Sequence, residues 1–151
     1  MKRRMLLVFC LLLAAWTTSL WAQSNSVMDT LLSQKRAAFG DAVYMVMAAV
    51  HRVPYSATVG AAIEALKAAN WGVKLENENT PITLGEYSFL LMRAFQMQGG
   101  IMYHLFPGPR YAARELAYLK LIYGDASPYR TISGNEVIQI LGNVMRYEGA
   151  S

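Results

Sequence analysis

The chain has 151 residues, with 14 Lys and Arg against 10 Asp and Glu and a single cysteine, Cys10. Residues 1–22 hold three of the cations (Lys2, Arg3, Arg4) and no acid, so the formal charge falls from +4 for the whole chain to 11 bases against 10 acids beyond Ala22. That near-neutral, cysteine-free remainder excludes a disulfide framework and a thiolate site, and it lacks the basic excess that nucleic-acid binding calls for.

In chain order, Lys2-Arg3-Arg4 precede an apolar run from Met5 to Trp16, and Thr17 to Ala22 turns smaller and more polar. This is the charged, apolar, cleavage-site order of a secretory signal peptide, expected to be cut after Ala22. A run of about a dozen apolar residues falls short of the roughly 18 to 20 that a bilayer-spanning helix needs, so no stable transmembrane span is expected. Phe9 before Cys10 is too large for a lipidation site. Residues 23–151 are expected to form one periplasmic or secreted domain.

From Met28 to Val53, apolar residues fall three and four apart (Leu31, Leu32, Val43, Met47, Val50), predicting helical chain interrupted near Gly40 and stopped by Pro54. Ala57 to Trp71 is Ala-rich, with Ile63, Leu66 and Ala69 on one stripe and Gly72 closing it. Lys74 to Pro81 is a polar loop. Ile82 to Met97 is a helix ended by Gly99-Gly100, and Ile101 to Arg110, with Phe106-Pro107-Gly108-Pro109, is a connector. Tyr111 to Tyr123 is helical, Gly124 to Thr131 a loop, and Ile132 to Tyr147 helical again. The fold class is all-α.

Two of these helices open alike. Pro81-Ile82-Thr83-Leu84-Gly85-Glu86 and Thr131-Ile132-Ser133-Gly134-Asn135-Glu136 lie 50 residues apart, and Leu90, Leu91, Ala94 and Phe95 fall on Ile140, Leu141, Val144 and Met145. An earlier helix precedes each, begun by Ala61-Ala62 or Ala112-Ala113 and closed by Trp71-Gly72 or Tyr123-Gly124. A weaker copy aligns Gly40-Asp41 with Gly85-Glu86. Units are therefore expected at about 28–53, 57–98 and 111–147. Thr83 with Glu86 and Ser133 with Glu136 have capping-box spacing, which assigns both carboxylates to helix starts.

Ile82-Thr83-Leu84-Gly85-Glu86, after an Ala-rich helix and a loop and before an apolar helix, resembles the S-layer homology repeat over about residues 57–147. That resemblance implies helix-loop-helix units, commonly in threes, that anchor proteins noncovalently to cell-wall polymers or peptidoglycan-linked glycans. The family pattern is Ile-Thr-Arg-Ala-Glu, with the Arg meeting an anionic sugar; Leu84 and Gly134 replace it here. A second resemblance, to an EF-hand loop, runs from Asp125 through Ile132 to Glu136. Arg130 stands where that loop takes Gly, and Tyr129 where it wants an oxygen ligand.

Aromatic residues are dense from Tyr103 to Tyr129, with arginines among them. Arg110, Tyr111, Arg114, Tyr118 and Arg130 are the candidate ligand-binding residues, for a cell-wall glycan or an envelope protein. The alternative is that Tyr118 and Tyr123 pack between units. His51 and His104 are isolated, no His or Cys cluster has zinc-ligand spacing, and nothing marks a nucleophile. The expected function is noncatalytic binding or scaffolding at the bacterial cell envelope, without cofactor or metal. A calcium-responsive module and a hydrolase without a recognisable motif are the alternatives.

Overall fold

Apolar residues three and four apart fold into seven helices in the computed structural model, which describes residues 22–149. They are α1 (Ala22–Ser33), α2 (Phe39–Ala49), α3 (Val59–Ala69), α4 (Leu84–Ala94), α5 (Ile101–Leu105), α6 (Pro109–Tyr118) and α7 (Gly134–Gly149). Among the described residues there is no strand, only isolated bridges at Ala38–Pro81 and Thr83–Thr131, so the fold is all-α. Among the described residues, no helix is long and apolar enough to cross a membrane. The signal-peptide reading lies outside the described residues, apart from Ala22.

The inner helices α2, α4 and α7 pack on one another, and each carries an outer helix: α3 on α2, α6 on α4, α1 on α7. The sequence reading grouped α3 with α4 and α6 with α7. Instead, each of these outer helices packs on the inner helix before it in the chain, and α1 closes the circle on α7. The core between them includes Phe39, Val43, Met47, Leu84, Tyr87, Leu90, Leu91, Val137 and Val144. Tyr87, fully buried, donates its hydroxyl to the Val137 carbonyl at 2.9 Å, tying α4 to α7.

The starts of the inner helices meet in a closed ring. The Ala37 N–H donates to the Ile132 carbonyl (2.7 Å), Ile132 N–H to Ile82 (3.3 Å), and Ile82 N–H to Ala37 (2.9 Å). Beyond the ring, the N–H groups of Phe39, Leu84 and Gly134 donate to the carbonyls of Thr80, Arg130 and Gln34. First-turn N–H groups have no partner within their own helix, so each helix start is satisfied by a neighbouring segment. Side chains complete the caps. Glu86 Oε2 accepts from the Thr83 N–H at 2.9 Å while Thr83 Oγ1 accepts from the Glu86 N–H, and Ser133 with Glu136 repeats this geometry. At α2 the cap residue is Ala38 and the carboxylate is the shorter Asp41. Gln34 bridges the difference, accepting from the Ala38 N–H and donating to Asp41. Glu86→Ala and Glu136→Ala are each expected to lower stability by about 0.5 to 2 kcal/mol as lost caps, read from urea melts.

Several boundaries differ from the sequence reading. The break between α1 and α2 spans 34–38, and Gly40 sits inside α2, where its N–H donates to the Glu78 carbonyl at 2.8 Å. A Cβ on Gly40 would come within 2.6 Å of Val59 Cγ1, so this glycine serves close approach and does not interrupt the helix. Helices α2, α4 and α6 stop earlier than expected, each at a residue other than glycine in the left-handed region: His51 (φ 56°), Gln96 (φ 55°) and Lys120 (φ 58°). The following residues close these ends with bonds from Arg52 to the Met47 carbonyl, Met97 to Met92, and Leu121 to Leu116. The expected connector holds the short helix α5, and Pro109 takes the first position of α6, where its missing N–H costs nothing.

Candidate functional cleft

These left-handed helix ends shape a cleft. The chain leaves α2 at Arg52, leaves α3 at Trp71 after the left-handed Asn70, and leaves α4 at Gln96 to Gln98; α5 supplies Tyr103 and His104. Together with Met92, Arg93, Met97 and Pro107 they enclose about 500 Å³. The Arg52 guanidinium lies 5.8 Å from the Trp71 ring centroid, and that of Arg93 lies 5.1 Å from the ring of Phe89. Phe89 in turn meets Tyr103 edge to face at 6.3 Å.

Charge in this cleft is uncompensated. The ion pairs found among the described residues are Lys67–Glu64, Lys74–Glu76, Arg130–Asp125 and Arg130–Glu136, so neither Arg52 nor Arg93 meets a carboxylate there. The Arg93 Nε and the Tyr103 hydroxyl are buried without a protein partner. Burial pushes the Tyr103 phenol above its ordinary range, and the nearby Arg93 charge only partly opposes this, so the hydroxyl stays protonated as a donor. Buried donors without partners each cost about 1 to 3 kcal/mol. At the opening itself, two guanidinium groups without carboxylate partners beside an indole suit a sugar that carries an acidic group.

The residues singled out from the sequence lie elsewhere. Arg110, Arg114 and Tyr118 are exposed on α6, Tyr118 to 82%, and Tyr111 is half-buried against Phe106. Tyr118 and Tyr123 therefore do not pack between units. His104 is exposed at the cleft, and His51 is exposed at the end of α2. Sequence reading missed Arg52, Trp71 and Arg93 because they are far apart in the chain. The Trp71-Gly72 helix end was the one visible signal. A second cavity, of about 320 Å³, is bounded by Met28, Tyr44, Met45, Ala48, Ala49, Tyr55, Leu141 and Met145 and has no charged lining.

Arg130 has a structural assignment. Its Nε donates to the Asp125 carbonyl at 2.6 Å and its Nη1 pairs with Glu136 Oε1 at 2.7 Å, while Asp125 Oδ1 accepts from the Ser127 N–H. The guanidinium thus spans the first and twelfth positions of the loop that resembles an EF-hand. Among the described residues, no group of three or more His, Cys, Asp or Glu is placed to hold a metal ion. Calcium at millimolar concentration is expected to leave the melting temperature unchanged, and Arg130→Met to lower stability by about 1 to 3 kcal/mol. A calcium-induced rise abolished by Asp125→Ala would reverse that assignment.

Glu136 adds a pH dependence. Burial pushes its carboxyl up, but the Ser133 N–H, the Arg130 guanidinium and the Ser133 hydroxyl together outweigh burial and hold it below its ordinary 4.5. A carboxyl depressed in the folded state contributes stability that is present above its unfolded value and lost as pH falls through the folded one. Stability should therefore fall as pH drops below about 4.5, and Glu136→Gln should flatten that fall in melts recorded against pH.

Compared with family models, curated proteins and solved structures, the chain matches none.

Proposed function

We propose that this chain is a noncatalytic, exported binding protein of the bacterial cell envelope that holds an acidic wall glycan in the cleft between α2, α3, α4 and α5. One observation carries this reading: Arg52 and Arg93 line the same cleft, and neither has a carboxylate partner among the described residues. Trp71 offers a stacking face for a pyranose ring, and Gln96 and Gln98 offer amides for its hydroxyls. The ring of helix starts ties α2, α4 and α7 together. It also supports a three-unit reading of the domain, in which the segments around Ala37, Ile82 and Ile132 are equivalent.

The test is binding to purified peptidoglycan sacculi with their attached polymers. Removing a charge-assisted hydrogen bond is worth roughly 1.5 to 3 kcal/mol, so Arg93→Met should weaken binding by about tenfold to a hundredfold. Trp71→Ala should weaken it too, and Asp125→Ala should leave it unchanged. Folded Arg93→Met and Trp71→Ala proteins that bind sacculi as the parent does would overturn the assignment.

A further inference from the structure

Helix α5 leaves most of its apolar side chains in solvent. Ile101 is 78% exposed, Leu105 63%, Phe106 61% and Met102 53%, and only Tyr103 is buried. Its backbone lies close to α6 and to no other helix, and Phe106 stacks on Tyr111 of α6 with ring centroids 6.2 Å apart. The apolar tip is thus fastened to α6. On that helix Arg110, Arg114 and Tyr118 recur every four residues, which places them along one exposed face.

The charge around this tip is one-sided. From Tyr87 to Gly124 the sequence has Arg93, Arg110, Arg114 and Lys120 against one acid, Glu115. Glu115 is half-buried and turned toward Gly100, where an added Cβ would lie 2.9 Å from its carboxylate. Arg110 lies over the Tyr111 ring at 5.9 Å, and neither Arg110 nor Arg114 pairs with a carboxylate among the described residues.

Four aliphatic and aromatic side chains projecting from one short turn offer a partner no pocket to fill, so a surface without fixed shape covers them best. A bilayer interface is such a surface: apolar side chains enter the acyl boundary, Arg meets lipid phosphates, and Tyr sits at headgroup depth. We propose that α5 and the Arg110–Arg114–Tyr118 face of α6 dock the protein on an anionic lipid membrane. Ile101, Met102, Leu105 and Phe106 insert, and Arg110 and Arg114 supply the preference for negative charge. The docking face adjoins the glycan cleft, to which α5 also supplies Tyr103 and His104.

Because Met5 to Trp16 is itself an apolar run, local depth is the informative readout. A spin label at Leu105→Cys, in a Cys10→Ser background, is compared with one at the exposed Ala68→Cys of α3 by accessibility to oxygen and to a nickel chelate. With phosphatidylcholine vesicles containing phosphatidylglycerol, the label at position 105 should gain oxygen and lose nickel accessibility, while the one at 68 stays in water. Arg110→Gln with Arg114→Gln should weaken that immersion by roughly fivefold per cation removed. The proposal is overturned if the 105 label stays nickel-accessible with these vesicles, or if it immerses equally in phosphatidylcholine alone. It is also overturned if the label becomes shielded without vesicles as protein concentration rises, which would assign the face to a second copy of the chain.

Discussion

Gly134→Ala should cost this protein about 3 to 5 kcal/mol, near the upper end for a point substitution. Position 134 opens α7, and a Cβ built there would lie 1.7 Å from the Leu31 carbonyl oxygen and 2.5 Å from its carbon. The obstacle is backbone, which cannot swing aside as a side chain can, so α1 must lift away from α7. The displacement would also break the bond from the Gly134 N–H to the Gln34 carbonyl at 3.0 Å. Helix propensity alone predicts the opposite sign, since Ala within a helix is favoured over Gly by about 1 kcal/mol. Urea melts therefore separate the two effects cleanly. A variant as stable as the parent, or more stable, would show that α1 does not pack on α7 in this way.

Leu84→Arg is expected to be worse tolerated still, yielding either no folded protein or a melting temperature lower by more than about 10 °C. Leu84 is fully buried at the start of α4, and its N–H is held by the Arg130 carbonyl at 2.8 Å. An arginine there would bury an unpaired guanidinium among apolar neighbours, at a cost of several kcal/mol, and would overpack the site. The pattern Ile-Thr-Arg-Ala-Glu would place arginine at position 84. In this packing the equivalent positions of α4 and α7 are filled by a core leucine and by a glycine against Leu31, so neither can present a charge to a ligand. A thermal melt of Leu84→Arg that matched the parent would mean the start of α4 is more open than described.

Much of the helical content was legible because its causes are local. Periodic apolar residues marked α3, α4, α6 and α7, and the Ser/Thr-x-x-Glu spacing marked two caps whose bonds close within four residues of chain. The helix ends were less legible, because His51, Gln96 and Lys120 adopt a left-handed conformation that their residue types do not announce. An interruption near Gly40 was legible and falls at residues 34–38, but the role of Gly40 inside α2 was not, because a glycine can serve either backbone freedom or close packing. Only the neighbours Val59 and Glu78 show which.

Of the candidate cleft, only the Trp71-Gly72 helix end was legible. Arg52 and Trp71 follow the ends of α2 and α3, Arg93 lies on α4 and Tyr103 on α5, and nothing in the spacing of one predicts the others. The aromatic and arginine density from Tyr103 to Tyr129 was visible but did not separate exposed Arg110 and Arg114 from Arg130, which is spent on Asp125 and Glu136. By itself the sequence determined helix or loop, the two capped starts and the similarity of the segments at Ile82 and Ile132, since these depend on residues within a turn or two of each other. Tertiary structure alone decided the ring through Ala37, the pairing of each outer helix with an inner one, and the meeting of two unpaired arginines. Those outcomes rest on hydrogen bonds and steric fit between residues tens of positions apart, where local preference has no influence.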